Sequence, residues 1–351
     1  MTSGARITTV IPTFGRRALL ERAVASVLEQ GRSDVSVRVF DNASPDDTGA
    51  VMRKLAAADP RVLYQCHSTN IGAIANFSFA LSAVDTEFFS ILSDDDYLLP
   101  GFYEHALRAL DDDPTSMFWA GCTLHVDESD RVVEARVETW RRHGRFDGEE
   151  GVLAMTGGRA PAWTGIVFRH AVLERLGLPD QEARGPSDMD FVLRAAAHSP
   201  FIVSDYPAAV FTLNATSFSA TQPLSSFWPG WVRMIENVRG WSALDVKGRE
   251  RVALALERDA RRMLFRRGVF AMVTGRRDFA TDAAKALRGT RGGQFFGWAL
   301  AGGLMAARIP IVVRTFARLY RALEMRLMRQ RVELQHRYEH LLRPLGPTER
   351  R

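Results

Sequence analysis

Phe88-Phe89-Ser90-Ile91-Leu92-Ser93-Asp94-Asp95-Asp96-Tyr97-Leu98-Leu99-Pro100 is the stretch on which the fold turns. A short apolar run reads as a strand buried on both faces, and carboxylates at its C-terminal end fall where open α/β sheets bind ligands. Three adjacent negative charges repel one another unless water solvates them or a cation neutralises them. At the mouth of a buried strand they therefore invite a divalent metal, a solvated turn being the plainer reading. Asp111-Asp112-Asp113, before Pro114, is an internal control: it follows a helical pattern and reads as a helix end and loop.

Outward from this strand, the chain alternates. Ile7 to Ile11 is a buried-strand pattern broken by Pro12, and Arg17 to Glu29 has helical spacing. Val35 to Phe40 is a second strand ending at Asp41-Asn42, and the turn from Ala43 to Asp47 supplies helix-start residues. Val62 to Gln65 is a third strand, followed by Asn70-Ile71-Gly72 and a helix over about 73–83. Such alternation predicts a doubly wound, mostly parallel sheet with right-handed crossovers. Its strand ends gather Pro12, Thr13, Asp41, Asp95 and Asp96 along one edge, the place for a nucleotide-type ligand. Beyond Trp119 shorter strands and loops are expected, with Trp163-Thr164-Gly165 as a landmark. Ser187 and Asp188 open another helical run, where capping and catalysis are both open roles for Asp188.

The 351 residues allow one large domain and a smaller one, divided here as 1–228 and 229–351. The net charge of +5 conceals an asymmetry: residues 231–351 hold 26 Lys/Arg against 11 Asp/Glu, leaving 20 against 30 for residues 1–230. The basic part favours an anionic partner such as lipid head groups, and residues 258–330 are expected to meet an anionic membrane surface. Within them, Phe295 to Val313 is apolar apart from Arg308 and is interrupted by Pro310, which fits an interfacial or buried helix better than a span. No zinc-finger spacing or RNA-recognition signature accompanies the basic residues, so nucleic acid is not expected as a partner. Cys66 and Cys122 lack metal-ligand spacing and read as buried free thiols of a cytoplasmic protein, peripheral at the inner face of the cell membrane if the basic part touches lipid. His336 and His340 read as surface residues, while Trp228, Trp231 and Trp241 fit a membrane interface or a hinge.

Six segments in order resemble the inverting glycosyltransferases of family 2, which have the GT-A fold. They are Val10 to Arg16, Ala25 to Gln30, Val39 to Thr48, Asn70-Ile71-Gly72 with Asn76, Leu92 to Asp96 with Leu99-Pro100, and Ser187 to Arg194. The resemblance implies an α/β GT-A fold, Rossmann-like, with an α-helical C-terminal extension. It also implies a nucleotide pocket of Pro12, Thr13, Phe14, Arg16, Asp41, Asn70, Gly72, Asn76, Asp94 and Asp95, with Asp41 on the base and Asp95 on the ribose. Asp96 is the implied holder of Mg²⁺ or Mn²⁺, with Asp94 and Asn214 as further candidate ligands. Asp188 is the implied general base, Asp190 its alternative, and Trp163, Thr164 and Gly165 the acceptor wall. The reaction expected is transfer of a sugar from a UDP- or dTDP-type donor to a hydroxyl of a glycan, lipid-linked or small-molecule acceptor; a homodimer is compatible with the sequence.

Two departures stand out. The acidic run is Ser93-Asp94-Asp95-Asp96 where the family often has Asp-Ser-Asp-Asp, and no histidine follows the last strand, where Asn214, Thr216 or Ser217 stand instead. A non-catalytic binding module and a sugar nucleotidyltransferase are the competing readings. A nicotinamide oxidoreductase is disfavoured, because Pro12-Thr13-Phe14-Gly15 replaces the glycine-rich turn that a pyrophosphate needs.

Overall fold

A computed structural model describes residues 4–214, 223–306 and 331–343. Ten strands among them form one sheet: β1 (Ile7–Thr13), β2 (Val35–Asp41), β3 (Val62–Cys66), β4 (Phe88–Ile91), β5 (Tyr97–Leu98), β6 (Phe118–Val126), β7 (Val132–Arg136), β8 (Gly144–Phe146), β9 (Ile166–Arg169) and β10 (Phe201–Thr212). Helices α1 (Arg17–Leu28), α2 (Thr48–Ala58), α3 (Ala73–Ser82), α4 (Phe102–Asp112), α5 (Gly148–Met155), α6 (Ala171–Leu176) and α7 (Ser187–His198) connect and cover it. The order is β3-β2-β1-β4-β9-β6-β10-β5, with β7 beside β6 and β8 beside β10.

β3, β2, β1, β4, β6 and β10 run in one direction, so the expected mostly parallel α/β sheet is present. β9 is the exception at its centre, antiparallel to both β4 and β6. The expectation of short strands beyond Trp119 needs correction: β6 is nine residues, buried throughout, and β10 is twelve. Small and aromatic residues in β6 give no alternation because both its faces are covered.

Pro12 shapes the edge that matters. Ile91 is the last β4 residue paired with β1, opposite Val10, and Leu92 donates its amide to the Val10 carbonyl. Residues two apart present their backbone to the same neighbour, so the amide that Pro12 lacks would have faced β4. Pairing stops there, and the chain after β4 turns away into the acidic run.

Further helices follow, among them α8 (Leu224–Gly240), α9 (Val246–Val273), α10 (Arg277–Arg288) and α11 (Gln294–Ala306). Trp231, Met234, Val238, Trp241, Val252 and Leu256 share one hydrophobic cluster with Phe118, Phe168, Phe191 and Phe201 of the sheet side. Trp231 and Trp241 are thus core residues joining helices to sheet, and neither is an interfacial anchor. Burying each such aromatic contributes about 1.5–3 kcal/mol. A separate small cluster unites Leu264, Ala283, Leu287 and Leu300 of α9, α10 and α11.

No helix among the described residues is long and apolar enough to cross a membrane. Of the apolar stretch Phe295 to Val313 only the part through Ala306 is described; residues 307–330, Thr216 and Ser217 lie outside. Cys122 is buried as expected, whereas Cys66, at the end of edge strand β3, is exposed.

Candidate active site

The carboxyl ends of β1, β2, β4 and β10 meet around the acidic turn. Asp94, Asp95 and Asp96 are all buried there, although none belongs to a strand. Thr13, the last residue of β1, donates its hydroxyl to Asp94 Oδ2 at 2.8 Å. Arg16 Nη1 reaches Asp94 Oδ1 at 3.2 Å and Asp95 Oδ2 at 2.9 Å, so one guanidinium clamps two carboxylates. Asp96 points the other way: its Oδ1 accepts the Thr212 amide of β10 at 2.8 Å and its Oδ2 the Thr164 hydroxyl.

Arg22 of α1 donates to the Asp95 carbonyl at 2.7 Å and lies 4.5 Å from the Tyr97 ring centre. The Thr212 hydroxyl donates to that same carbonyl at 2.7 Å. Arg22 and Thr212 therefore fix the backbone of the turn, and sequence reading passed over both. Their contacts span 73 and 117 residues, with no local motif to announce them.

Electrostatics at the turn are unfavourable by design of the cluster. Burial and the neighbouring Asp95 charge push Asp94 up to about 6, against the pull of Arg16. Asp95 is raised by burial, and Asp96 lies well above the usual carboxylate range through burial and then Asp95. Among the described residues, the guanidiniums of Arg16 and Arg22 face these three carboxylates.

A second group of residues surrounds β2. Asp41 accepts the Ser44 amide at 2.8 Å and the Tyr64 hydroxyl at 2.6 Å, which hold its carboxylate at the sheet edge. Asn70 Oδ1 accepts from Asn42 Nδ2 and from the Gly72 amide, each near 2.9 Å and 2.8 Å respectively. Gly72, at φ +88, makes the turn into α3, a conformation that L side chains resist. Pro12 and Thr13 are buried beside this group, while Phe14 is exposed at the mouth. Asn76 is turned inward, donating to the Phe40 carbonyl at 2.9 Å and meeting His67 Nε2 at 3.0 Å, so its amide ties α3 to β2.

The turn Trp163–Gly165 links the acidic cluster to α7. Thr164 sits on Asp96, and the Trp163 ring packs 6.0 Å from Phe191 of α7 and 6.4 Å from Phe77 of α3. Gly165 is required by packing: a Cβ there would lie 2.2 Å from Thr123 Oγ1 on β6. Thr164 and Gly165 are buried, so of this expected acceptor wall Trp163 alone keeps partial exposure.

Phe191 lies one helical turn beyond Asp188. Pro186 occupies the N-cap of α7 and no side chain caps it, so neither Ser187 nor Asp188 has the capping role considered from sequence. Asp188 is exposed, its Oδ1 accepting the Met189 amide at 2.7 Å. Protein crowds the carboxylate even so, raising its pKa by desolvation while Arg136 of β7 pulls the other way. Asp190 faces elsewhere: it is fully buried, with Oδ1 accepting from Asn237 of α8 at 3.1 Å and Oδ2 without a partner among the described residues. Asn214 follows β10 two residues beyond Thr212 and is half-buried. Among the described residues no group of three His, Cys, Asp or Glu forms a ready metal cage.

Residues 8–177 match the family model described as Glycosyl transferase family 2. These residues belong to glycosyltransferase family 2. A glycosyltransferase from Campylobacter jejuni subsp. jejuni, the "GalNAc(5)-diNAcBac-PP-undecaprenol beta-1,3-glucosyltransferase", is 35% identical over 97 residues, 27% of this chain and 31% of that protein. An uncharacterised protein of Mycobacterium tuberculosis is 25% identical over 201 residues, 55% of this chain and 62% of its own. The chain thus spans about a third and three-fifths of the length of these two curated relatives. The S. aureus TarS 1-349 crystal structure in complex with UDP-GlcNAc has the same fold at a TM-score of 0.62 and 14% identity, covering 90% of this chain and 92% of that one. The GT-A architecture with C-terminal helices is accordingly that of this chain.

Proposed function

We propose that this family 2 domain transfers a sugar from a UDP-sugar to an acceptor hydroxyl with inversion at the anomeric carbon, Asp188 acting as general base. One chain of contacts supports the reading: Thr164 bonds Asp96, and the adjoining Trp163 ring packs on Phe191, three residues beyond the exposed Asp188 that opens α7. The similar S. aureus TarS 1-349 structures, solved in complex with UDP and with UDP-GlcNAc, support the donor class. In this reading the uracil lies against Asp41 and the exposed Phe14 ring, and the ribose meets Asp95. Arg16 and Thr13 hold Asp94 and Asp95 in place for it.

The donor set also fits a hard cation. Asp94, Asp95 and Asp96 are oxygen ligands with one negative charge in excess of Arg16 and Arg22, an excess that grows when a diphosphate arrives. Asp96 would hold Mg²⁺ or Mn²⁺, with Asp94 a further candidate only if its carboxylate turned from Thr13 and Arg16, and the cation would stabilise negative charge on a departing diphosphate as a Lewis acid. Asp188, its pKa raised by desolvation, accepts the proton of the acceptor hydroxyl as that oxygen attacks the face opposite the diphosphate. Trp163 offers the partly exposed aromatic surface on which an acceptor sugar can rest. A lipid-linked acceptor is favoured over a small molecule by the name of the Campylobacter relative. Residues 1–228 carry this chemistry, and the basic helices after them serve the acceptor side.

Calorimetric titration of UDP with and without Mn²⁺ tests the site. We expect metal-dependent binding that Asp96→Asn weakens at least about tenfold, the isosteric amide still accepting the Thr212 N–H through its oxygen and donating its NH₂ to the Thr164 hydroxyl. Equal binding with EDTA, or no UDP binding at all, would leave a fold without this function and favour a non-catalytic module.

A further inference from the structure

We infer that the outer face of α11 is a docking surface for an anionic lipid bilayer. Gln294–Ala306 contains no Asp, Glu, Lys or Arg, so this helix is apolar on both its faces. Its inner face is accounted for: Leu300 packs with Leu264, Ala283 and Leu287, and Gly297 lets α11 press onto α10, where a Cβ would meet the Ala284 carbonyl at 2.7 Å. Its outer face is not. Phe295 is 78% exposed, Trp298 64% and Met305 71%. At 100° per residue these three fall within one stripe about 80° wide. Single exposed apolar residues are ordinary, but three large ones on one stripe of an uncharged helix need a partner.

The charge around the stripe indicates which. Residues 258–291 hold ten Lys or Arg against three Asp or Glu. Arg288, whose stem lies against Gly297, carries its guanidinium 4.7 Å from the Trp298 ring centre, so a cation sits at the rim of the apolar stripe. Arg276 stands similarly near Phe270, itself exposed, at 5.6 Å. An apolar stripe with tryptophan, bordered by arginines, is complementary to an interface with anionic head groups above acyl chains. Two identical stripes would instead bring their arginine rims together, which disfavours a second copy of this chain as the occupant. This inference does not depend on the proposed catalytic role.

Flotation of the full chain with phosphatidylcholine vesicles, with and without phosphatidylglycerol, tests it. We expect flotation with the anionic vesicles, weakened by salt, and a loss of about tenfold in the triple variant Phe295→Ser, Trp298→Ser, Met305→Ser, whose positions lie outside the core. Brominated lipids should quench the wild type more than Trp298→Phe, a difference that purely electrostatic adhesion would not produce. The inference falls if the wild type stays in solution, if the triple variant floats equally, or if wild type and Trp298→Phe are quenched alike. It also falls if the wild type is a lipid-free dimer that the triple variant makes monomeric.

Discussion

Two aspartates, two residues apart on one helix, have opposite surroundings. Asp188 is exposed, whereas Asp190 is sealed against Asn237 with one oxygen unpartnered among the described residues. Burial, opposed by that Asn237 hydrogen bond, pushes Asp190 from 3.8 up to about 6. A carboxyl whose folded pKa exceeds its unfolded value binds more protons when folded, so it costs stability as pH rises from about 4 to about 6 and the cost stays constant above. The difference corresponds to at most about 3 kcal/mol. Asp190→Asn should therefore raise the melting temperature at pH 8, leave it nearly unchanged at pH 4, and preserve sugar transfer. Loss of transfer with a normal melt would make Asp190 the base. The sequence placed both residues in one motif, but their separation depends on which side of α7 faces α8, and α8 lies some 40 residues away in the chain.

Elements meet at the acidic turn through small residues whose partners are remote. Gly165→Ala would set a methyl 2.2 Å from Thr123 Oγ1, a buried hydroxyl without a partner of its own among the described residues. We expect the substitution to cost about 1–3 kcal/mol and to lift Thr164 away from Asp96. Adding Thr123→Ala should restore much of that loss, because it removes the obstructing hydroxyl and orphans nothing. Additive effects in the double-mutant cycle, measured by urea unfolding, would show that the two residues do not press on each other. The first four strands were legible because their buried runs alternate with helices and end at Pro12, Asp41 and Asp94. The wall built by β6, β9 and β10 was not. β9 enters between β4 and β6 against the direction of both, and nothing in Ile166 to Arg169 signals a central antiparallel strand.

Across the molecule, sheet and helices share one core through Trp231, Trp241 and Leu256, which sequence patterning could not separate from a hinge or a membrane anchor. The acidic edge of the sheet and the basic helices consequently share one hydrophobic core. We propose that donor binding and proton removal reside in different residues, UDP at the turn after β4 and proton transfer at the start of α7. The direct measurement pairs UDP affinity with the rate of UDP release from a UDP-sugar, for the wild type and Asp188→Asn. We expect Asp188→Asn to keep UDP affinity within about twofold while release falls by about 10²–10⁴. Release at the wild-type rate, or loss of UDP binding in that variant, would contradict it.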